Sequence, residues 1–137
     1  MKFMLDTNII IDVLSQRDGY RESLQLVKYC ELGVAEGFVS VITVTDVMYI
    51  LRKHIDPILV REAIQTLLLI VDVASVSKND IIAGFNSEMK DYEDAVQVSC
   101  AERMKADYIV TRNVKDFEKS PVPAILPGTA INIINGY

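Results

Sequence analysis

A chain of 137 residues, half of them hydrophobic, can bury a substantial core, and we expect one domain spanning residues 1–137. The net charge of −5 argues against a protein that coats nucleic acid through bulk positive charge. It does not exclude a site that binds a phosphodiester through a metal ion, because the carboxylates that hold the metal themselves contribute negative charge. No segment approaches ~18 consecutive apolar residues, so no membrane span is predicted.

The two cysteines indicate whether the protein resides in a reducing or an oxidising compartment of the cell. Cys30 and Cys100 lie in helix-like segments and have no Cys-x-x-Cys spacing. Reduced core thiols in a cytoplasmic protein are therefore favoured over a disulfide. No small-residue cleavage site follows Met1, so a secretory signal is not expected.

Short apolar runs alternate with longer segments of helical periodicity, a pattern that predicts β-α-β units and a parallel sheet. Strands are predicted over residues 2–5, 37–40, 71–75, 107–111 and 123–126. Helices are predicted to begin in the apolar run after Asn8 and over residues 20–33, 43–55, 57–70, 77–90 and 91–105. Right-handed crossovers would place helices on both faces of a twisted sheet.

Acidic residues occur near the ends of these predicted strands. Asp6 follows the first strand, Asp46 lies in the first turn of the helix after the second, and Asp116 follows the fourth. Asp91 and Asp94 open the helix before the fourth strand, three residues apart and hence on one face. Because ligands of parallel sheets bind outside the carboxyl ends of the strands, these acids are candidates for one site.

Helix capping is the alternative explanation for each acid taken alone. Capping-box spacing occurs in Thr43-x-x-Asp46, Asp91-x-x-Asp94, Asn113-x-x-Asp116 and Ser77-x-x-Asp80, and we assign the last of these to capping. Capping explains the joint pattern less well, because Ser, Thr and Asn cap as well as Asp does. Converging carboxylates repel each other and are costly without a cation. Oxygen ligands without histidine or cysteine suit Mg²⁺ or Mn²⁺.

The sequence resembles a PIN domain in four segments that follow in order over essentially the whole chain: MLDTNIIIDVL, VSVITVTDVMYILRK, DYEDAVQ and YIVTRNVKDF. The resemblance implies a three-layer α/β/α fold with a central parallel sheet. It also implies a metal-dependent ribonuclease of the kind found as VapC-type toxins in bacterial and archaeal toxin–antitoxin pairs.

The resemblance to PIN domains implies roles for four aspartates of this sequence. Asp6 and Asp94 match the central metal-binding acids, and Asp46 falls where many members carry Glu. Asp116 matches the last acid, which some members carry instead at the position of Asn113. Asp6, Asp46, Asp94 and Asp116 are thus the expected catalytic residues.

The expected ligands of Mg²⁺ or Mn²⁺ are Asp6, Asp94 and Asp116, with Asp91 as an additional acid one turn before Asp94. Thr7, Asn8, Thr111 and Asn113 are expected to support the carboxylates or bind a phosphate oxygen. For Thr7, Asn8 and Thr111, an ordinary turn or cap role is an equally good interpretation.

Expected partners are an RNA substrate, a cognate antitoxin that inserts Arg or Lys among the acids, and a second copy in a homodimer. The main alternative is a catalytically silent PIN-like module that binds RNA or protein. A receiver-like signalling domain fits less well, because no lysine follows the fifth strand. The single histidine, His54, is expected on the surface. Arg52, Lys53, Arg112 and Lys115 flank acidic motifs and either steer RNA or form solvated surface charge.

Overall fold

Strands and helices alternate along the chain in the computed structural model, which describes residues 1–136. The strands are β1 Lys2–Leu5, β2 Glu36–Ser40, β3 Asp72–Ala74, β4 Tyr108–Val110 and β5 Ala124–Ile125. The α-helices are α1 Thr7–Ser15, α2 Tyr20–Glu31, α3 Val41–Leu51, α4 Pro57–Leu67, α5 Lys78–Phe85, α6 Tyr92–Arg103 and α7 Pro127–Ile134. A short 3-10 helix, Val114–Phe117, follows β4.

The five strands form one all-parallel sheet in the order β3-β2-β1-β4-β5. Central strand β1 pairs with β2 and β4, so that Met4 lies between Phe38 and Ile109. The predicted fold class, α/β with a central parallel sheet, is confirmed.

Side chains of β1 alternate between two cores, as the period of a strand requires. Phe3 and Leu5 belong to one buried cluster with residues of α1 to α4 and α7, whereas Met4 belongs to a second with residues of α6. Both faces of the sheet are therefore covered by helices, which makes the three layers.

The strand order places a crevice beside β1. The chain leaves β1 for β2 and then β3 on one side, and it crosses to β4 and β5 on the other. The order thus reverses between β1 and β4, and parallel sheets bind ligands at the carboxyl ends of strands at such a point. Asp6 directly follows β1 there, and its backbone N–H donates to the Val110 carbonyl at 2.9 Å.

The structure differs from the sequence prediction at several boundaries. Helix α3 begins at Val41 rather than residue 43, because the Ser40 hydroxyl accepts the Thr43 N–H at 3.3 Å and caps it. Asp46 consequently lies in the second turn of α3, so the predicted place in the first turn was wrong, and it forms no capping box with Thr43. Helix α7 was not predicted at all.

Other expectations agree with the structure. Cys30 and Cys100 are free and buried, as predicted, and His54 is exposed. Ser77 and Asp80 form the expected capping box at the start of α5. None of the helices within residues 1–136 is long and apolar enough to cross a membrane.

Candidate active site

Asp6 is the most enclosed of the candidate acids. Its side chain caps α1 by accepting the Thr7 N–H at 2.8 Å, and its other oxygen accepts from Thr111 Oγ1 at 2.8 Å and Asn8 Nδ2 at 3.3 Å. Burial raises the pKa of Asp6, and the charge of Asp116 raises it further, although the bonds from Thr111, Thr7 and Gln97 partly counter this. Asp6 is thus both a cap and a member of an acidic cluster.

Asp94 lies in the first turn of α6, with its N–H bonded to the Asp91 carboxylate at 2.9 Å. Burial, the largest cause, and the charges of Asp6, Asp91 and Asp116 together raise the pKa of Asp94 from 3.8 to about 7. Electrostatic effects of this kind require proximity. The structure therefore brings Asp6, Asp94 and the exposed Asp116 together at the crevice, as the sequence led us to expect. Their roles as metal ligands and catalysts stay predictions.

Asp46 has a different neighbour. A hydrogen bond with Asp46 is the largest of the causes that raise the pKa of Glu93 from 4.5 to about 8, followed by burial and by the charges of Asp46, Asp91 and Asp94. Glu93 was not among the predicted site residues. Its position beside Asp94 in the segment DYEDAVQ was a usable signal.

The remaining predicted residues divide between support and capping. Thr111 is fully buried and bonds Asp6, Asn8 Nδ2 at 3.4 Å and the Asn113 N–H at 3.0 Å. Asn113 is exposed, and its side chain makes no capping bond to the 3-10 helix. Asp91 is the N-cap of α6, which leaves one of its two carboxylate oxygens outside the cap bond.

A buried polar network lies beneath the acids. Gln97, one turn after Asp94 on α6, accepts from Ser40 Oγ and Thr43 Oγ1, each at 3.1 Å. Thr43 also bonds Thr7 Oγ1 at 3.0 Å, next to Asp6. The network ties α1, α3 and α6 together below the crevice. Neither Ser40 nor Gln97 was predicted, because single buried polar residues carry no spacing signal.

The chemistry of these side chains fits a hard divalent cation. The cluster consists of carboxylates, with hydroxyl and amide oxygens beside them, and within residues 1–136 no lysine or arginine forms an ion pair with Asp6 or Asp94. Within residues 1–136, no three His, Cys, Asp or Glu side chains form a ready-made metal cage. Mg²⁺ typically keeps several waters and uses only one or two carboxylates, so such a cage is not required.

The family model described as "PIN domain" matches residues 2–115, most of the chain. The chain belongs to the PIN-domain family. The four sequence segments that suggested this resemblance all lie within or at the border of the matched region, so the predicted family is confirmed. No curated protein matches the sequence of this PIN domain at a significant level.

Solved structures with the same fold include proteins of toxin–antitoxin systems. VapBC2 from Rickettsia felis, described as bound to a DNA fragment from its promoter, has a TM-score of 0.71 at 19% identity, with 92% of this chain and 98% of that chain covered. A toxin–antitoxin complex from Klebsiella pneumoniae has a TM-score of 0.69 at 25% identity, with 90% and 96% covered. VapC20 of Mycobacterium tuberculosis, described as a toxin that cleaves the sarcin–ricin loop, has a TM-score of 0.62 at 10% identity, with 78% and 86% covered.

Proposed function

We propose that this PIN domain is a Mg²⁺- or Mn²⁺-dependent endoribonuclease that acts as the toxin of a toxin–antitoxin pair. The observation that carries the proposal is the convergence of Asp6, Asp94 and Asp116 at the crevice between β1 and β4. The toxin–antitoxin proteins among its structural relatives, one of them described as an RNA-cleaving toxin, support the biological role.

A divalent ion bound by these acids would supply an acidified water and would stabilise negative charge on the phosphate. Asp6 and Asp94 are the proposed ligands, with Asp116, and Asp91 through its free oxygen, as the further candidates. Thr111, Thr7 and Asn8 hold the Asp6 carboxylate in one orientation through three hydrogen bonds. Such fixed ligands need no rearrangement during the reaction.

Asp46 and Glu93 form a second acidic pair next to the cluster. Because the pKa of Glu93 is raised to about 8 beside Asp46, Glu93 is suited to orient a water or to move a proton at the edge of the site. We assign it this positioning role, and we keep direct ion contacts for Asp6, Asp94, Asp116 and Asp91.

An antitoxin with a basic segment is the proposed regulator, because arginine or lysine entering an anionic crevice forms strong charge-assisted hydrogen bonds. A homodimer completes the proposed assembly. Exposed apolar side chains such as Leu69 and Phe85 are available for protein contacts.

The test of the nuclease is cleavage of end-labelled RNA in Mn²⁺, in Mg²⁺ and in EDTA. We expect cleavage in either ion, none in EDTA, and losses of at least about a hundredfold in Asp6→Asn and Asp94→Asn. Asp72→Asn is the matched control, because Asp72 is exposed at the amino end of β3, opposite the crevice. Full cleavage by Asp94→Asn, or RNA binding without cleavage by the unaltered protein, would favour the silent module.

A further inference from the structure

A polar cavity of about 750 Å³ opens beside the acidic crevice. Its lining residues are Asn8, Gln16, Arg17, Asp18, Arg112 and Asn113. Asn8 connects the two sites, because its side-chain nitrogen donates to Asp6 and its side-chain oxygen accepts the Arg112 N–H at 3.3 Å. A polynucleotide that crosses the acids therefore has this cavity next to it.

The cavity wall is built on a buried carboxylate. Asp12 is completely buried, and it accepts from Arg17 Nε at 2.8 Å and from Arg112 Nη1 at 2.9 Å. Arg112 Nη1 also donates to the Asp18 carbonyl at 3.0 Å. Two guanidinium groups from distant parts of the chain are thereby fixed against one anion, and the trio retains one positive charge.

Both arginines keep unused donors that reach the solvent. In residues 1–136, the Arg17 side chain makes no hydrogen bond beyond the Nε contact, and Arg112 makes none through Nε or Nη2. The side chains are 51% and 43% exposed, respectively. These donors are available to a ligand that enters the cavity.

The adjoining turn contacts Arg112 and lines the cavity. Gln16 ends α1 in the left-handed region at φ 52°, and Gly19 follows at φ 83°. A side-chain carbon at position 19 would stand 3.9 Å from Arg112 Nη2 and would be strained by that backbone conformation. The turn thus shapes one side of the cavity around the guanidinium group.

We propose that Arg17 and Arg112 form a subsite for a backbone phosphate of single-stranded RNA, next to the phosphate that is cleaved. The proposal rests on the proposed nuclease function and names how its substrate is held. Guanidinium groups match phosphate geometry through paired N–H donors. A protein of net charge −5 with an acidic crevice repels RNA at long range, so a pre-oriented cationic contact beside the crevice has a clear use.

Asp18 provides a test of whether the ligand in the cavity is negatively or positively charged. Its carboxylate is exposed at the rim of the same cavity and makes no ion pair within residues 1–136. Its negative charge repels a phosphate bound there. Asp18→Asn is therefore expected to tighten RNA binding about two- to threefold, the magnitude typical of one exposed charge pair. A cavity that instead received a basic partner would respond in the opposite direction.

The experiment measures the binding of fluorescently labelled single-stranded RNA by anisotropy over a range of salt concentrations, in an Asp94→Asn background that prevents cleavage. Arg17→Gln is the main variant, because Asp12 keeps its bond to Arg112 when Arg17 is replaced. Arg61→Gln on α4 is the matched control, an exposed arginine away from the cavity. Arg112→Lys is preferred to Arg112→Gln, because Arg112 also donates to the Asp18 carbonyl and its neutral replacement would free the turn as well as one side of Asp12.

We expect Arg17→Gln to weaken binding about tenfold, the loss of one hydrogen bond between charged groups. The slope of log K against log salt should fall by about 0.7, the value for one phosphate contact with a single strand. Arg61→Gln should change neither quantity. A single uncharged methylphosphonate linkage at the contacted position should abolish the effect of Arg17→Gln.

Unchanged affinity and salt slope in Arg17→Gln, or an equal effect of Arg61→Gln, would overturn the subsite. Either result would leave the nuclease proposal in place if the unaltered protein cleaves RNA. Failure of the unaltered protein to cleave RNA in Mn²⁺ would instead count against the nuclease, and the binding measurement would still decide whether the two arginines hold a phosphate.

Discussion

Replacement of Asp94 by asparagine is expected to stabilise the metal-free protein at alkaline pH. The pKa of Asp94 rises from 3.8 to about 7 because the side chain is half-buried and faces Asp6, Asp91 and Asp116. A carboxylate perturbed to this extent is disfavoured in its charged form by at most about 4 kcal/mol. Solvent screening at a partly exposed position reduces this to about 2 kcal/mol.

Asparagine keeps the shape of the side chain and removes its charge. The variant also loses a favourable charge in the first turn of α6, which costs roughly 0.5 kcal/mol. The net expectation is a gain of about 1–2 kcal/mol in the free energy of unfolding near pH 8.

The gain should depend on pH in a defined direction. Between pH 3.8 and about 7, folded Asp94 retains a proton that the unfolded chain has lost. The stability linked to that proton is complete below the unfolded pKa and is lost as the pH rises through the folded pKa. The two proteins should therefore be nearly equal at about pH 4, and they should diverge towards about pH 8.

Urea unfolding followed by circular dichroism in EDTA measures this difference, with Asp72→Asn as the control at the opposite edge of the sheet. Millimolar Mg²⁺ should stabilise the unaltered protein and leave the variant unchanged. The reasoning would be refuted if Asp94→Asn were the less stable protein near pH 8, or if its advantage did not shrink on acidification.

Three further predictions concern other parts of the molecule. The unaltered protein should lose stability as the pH rises from 4.5 to about 8, because the pKa of Glu93 is raised chiefly by its hydrogen bond with Asp46, and Glu93→Gln should remove this loss. Urea unfolding of both proteins over this pH range measures the difference, and free energies of unfolding that change with pH in parallel would contradict the prediction. Asp12→Ala should destabilise the fold by about 2–3 kcal/mol, since it removes the buried carboxylate that accepts hydrogen bonds from two half-exposed arginines; a thermal unfolding midpoint close to that of the unaltered protein would argue against it. Gly37→Ala should cost about 1–3 kcal/mol, because the added carbon would lie 2.7 Å from the Cys30 sulfur; a double-mutant cycle with Cys30→Ala should recover part of the loss, and strict additivity would show that the two positions do not interact.

The sequence predicted those parts of the fold that rest on repeated signals. All five strands were recognised, because each is a short apolar run followed by a helical segment, and the parallel arrangement followed from that alternation. Helix α7 was missed, since it has eight residues and no side-chain cap. Part of its anchorage is remote in sequence: Asn135, at its end, accepts from the Tyr29 hydroxyl at 3.0 Å.

The candidate site was predictable to a similar degree. Asp6 and Asp116 could be placed together because strand ends meet at one edge of a parallel sheet, and Asp94 because the helix that leads back to β4 begins at that edge. The hydrogen bond of Glu93 with Asp46 could not be predicted, because it joins α3 and α6 and depends on how these helices pack. The role of Asp12 was equally hidden: its carboxylate sits within an apolar run, and its partner Arg112 lies 100 residues away.

Direct measurement of Mn²⁺ binding tests the central claim, that Asp6 and Asp94 belong to a metal site. The loss of the paramagnetic resonance signal of free Mn²⁺ on titration with RNA-free protein reports the bound ion. We expect saturable binding by the unaltered protein and by Asp72→Asn, and at least about tenfold weaker binding by Asp6→Asn and Asp94→Asn. Equal Mn²⁺ affinity in all four proteins, or no saturable binding at millimolar Mn²⁺, would contradict the claim.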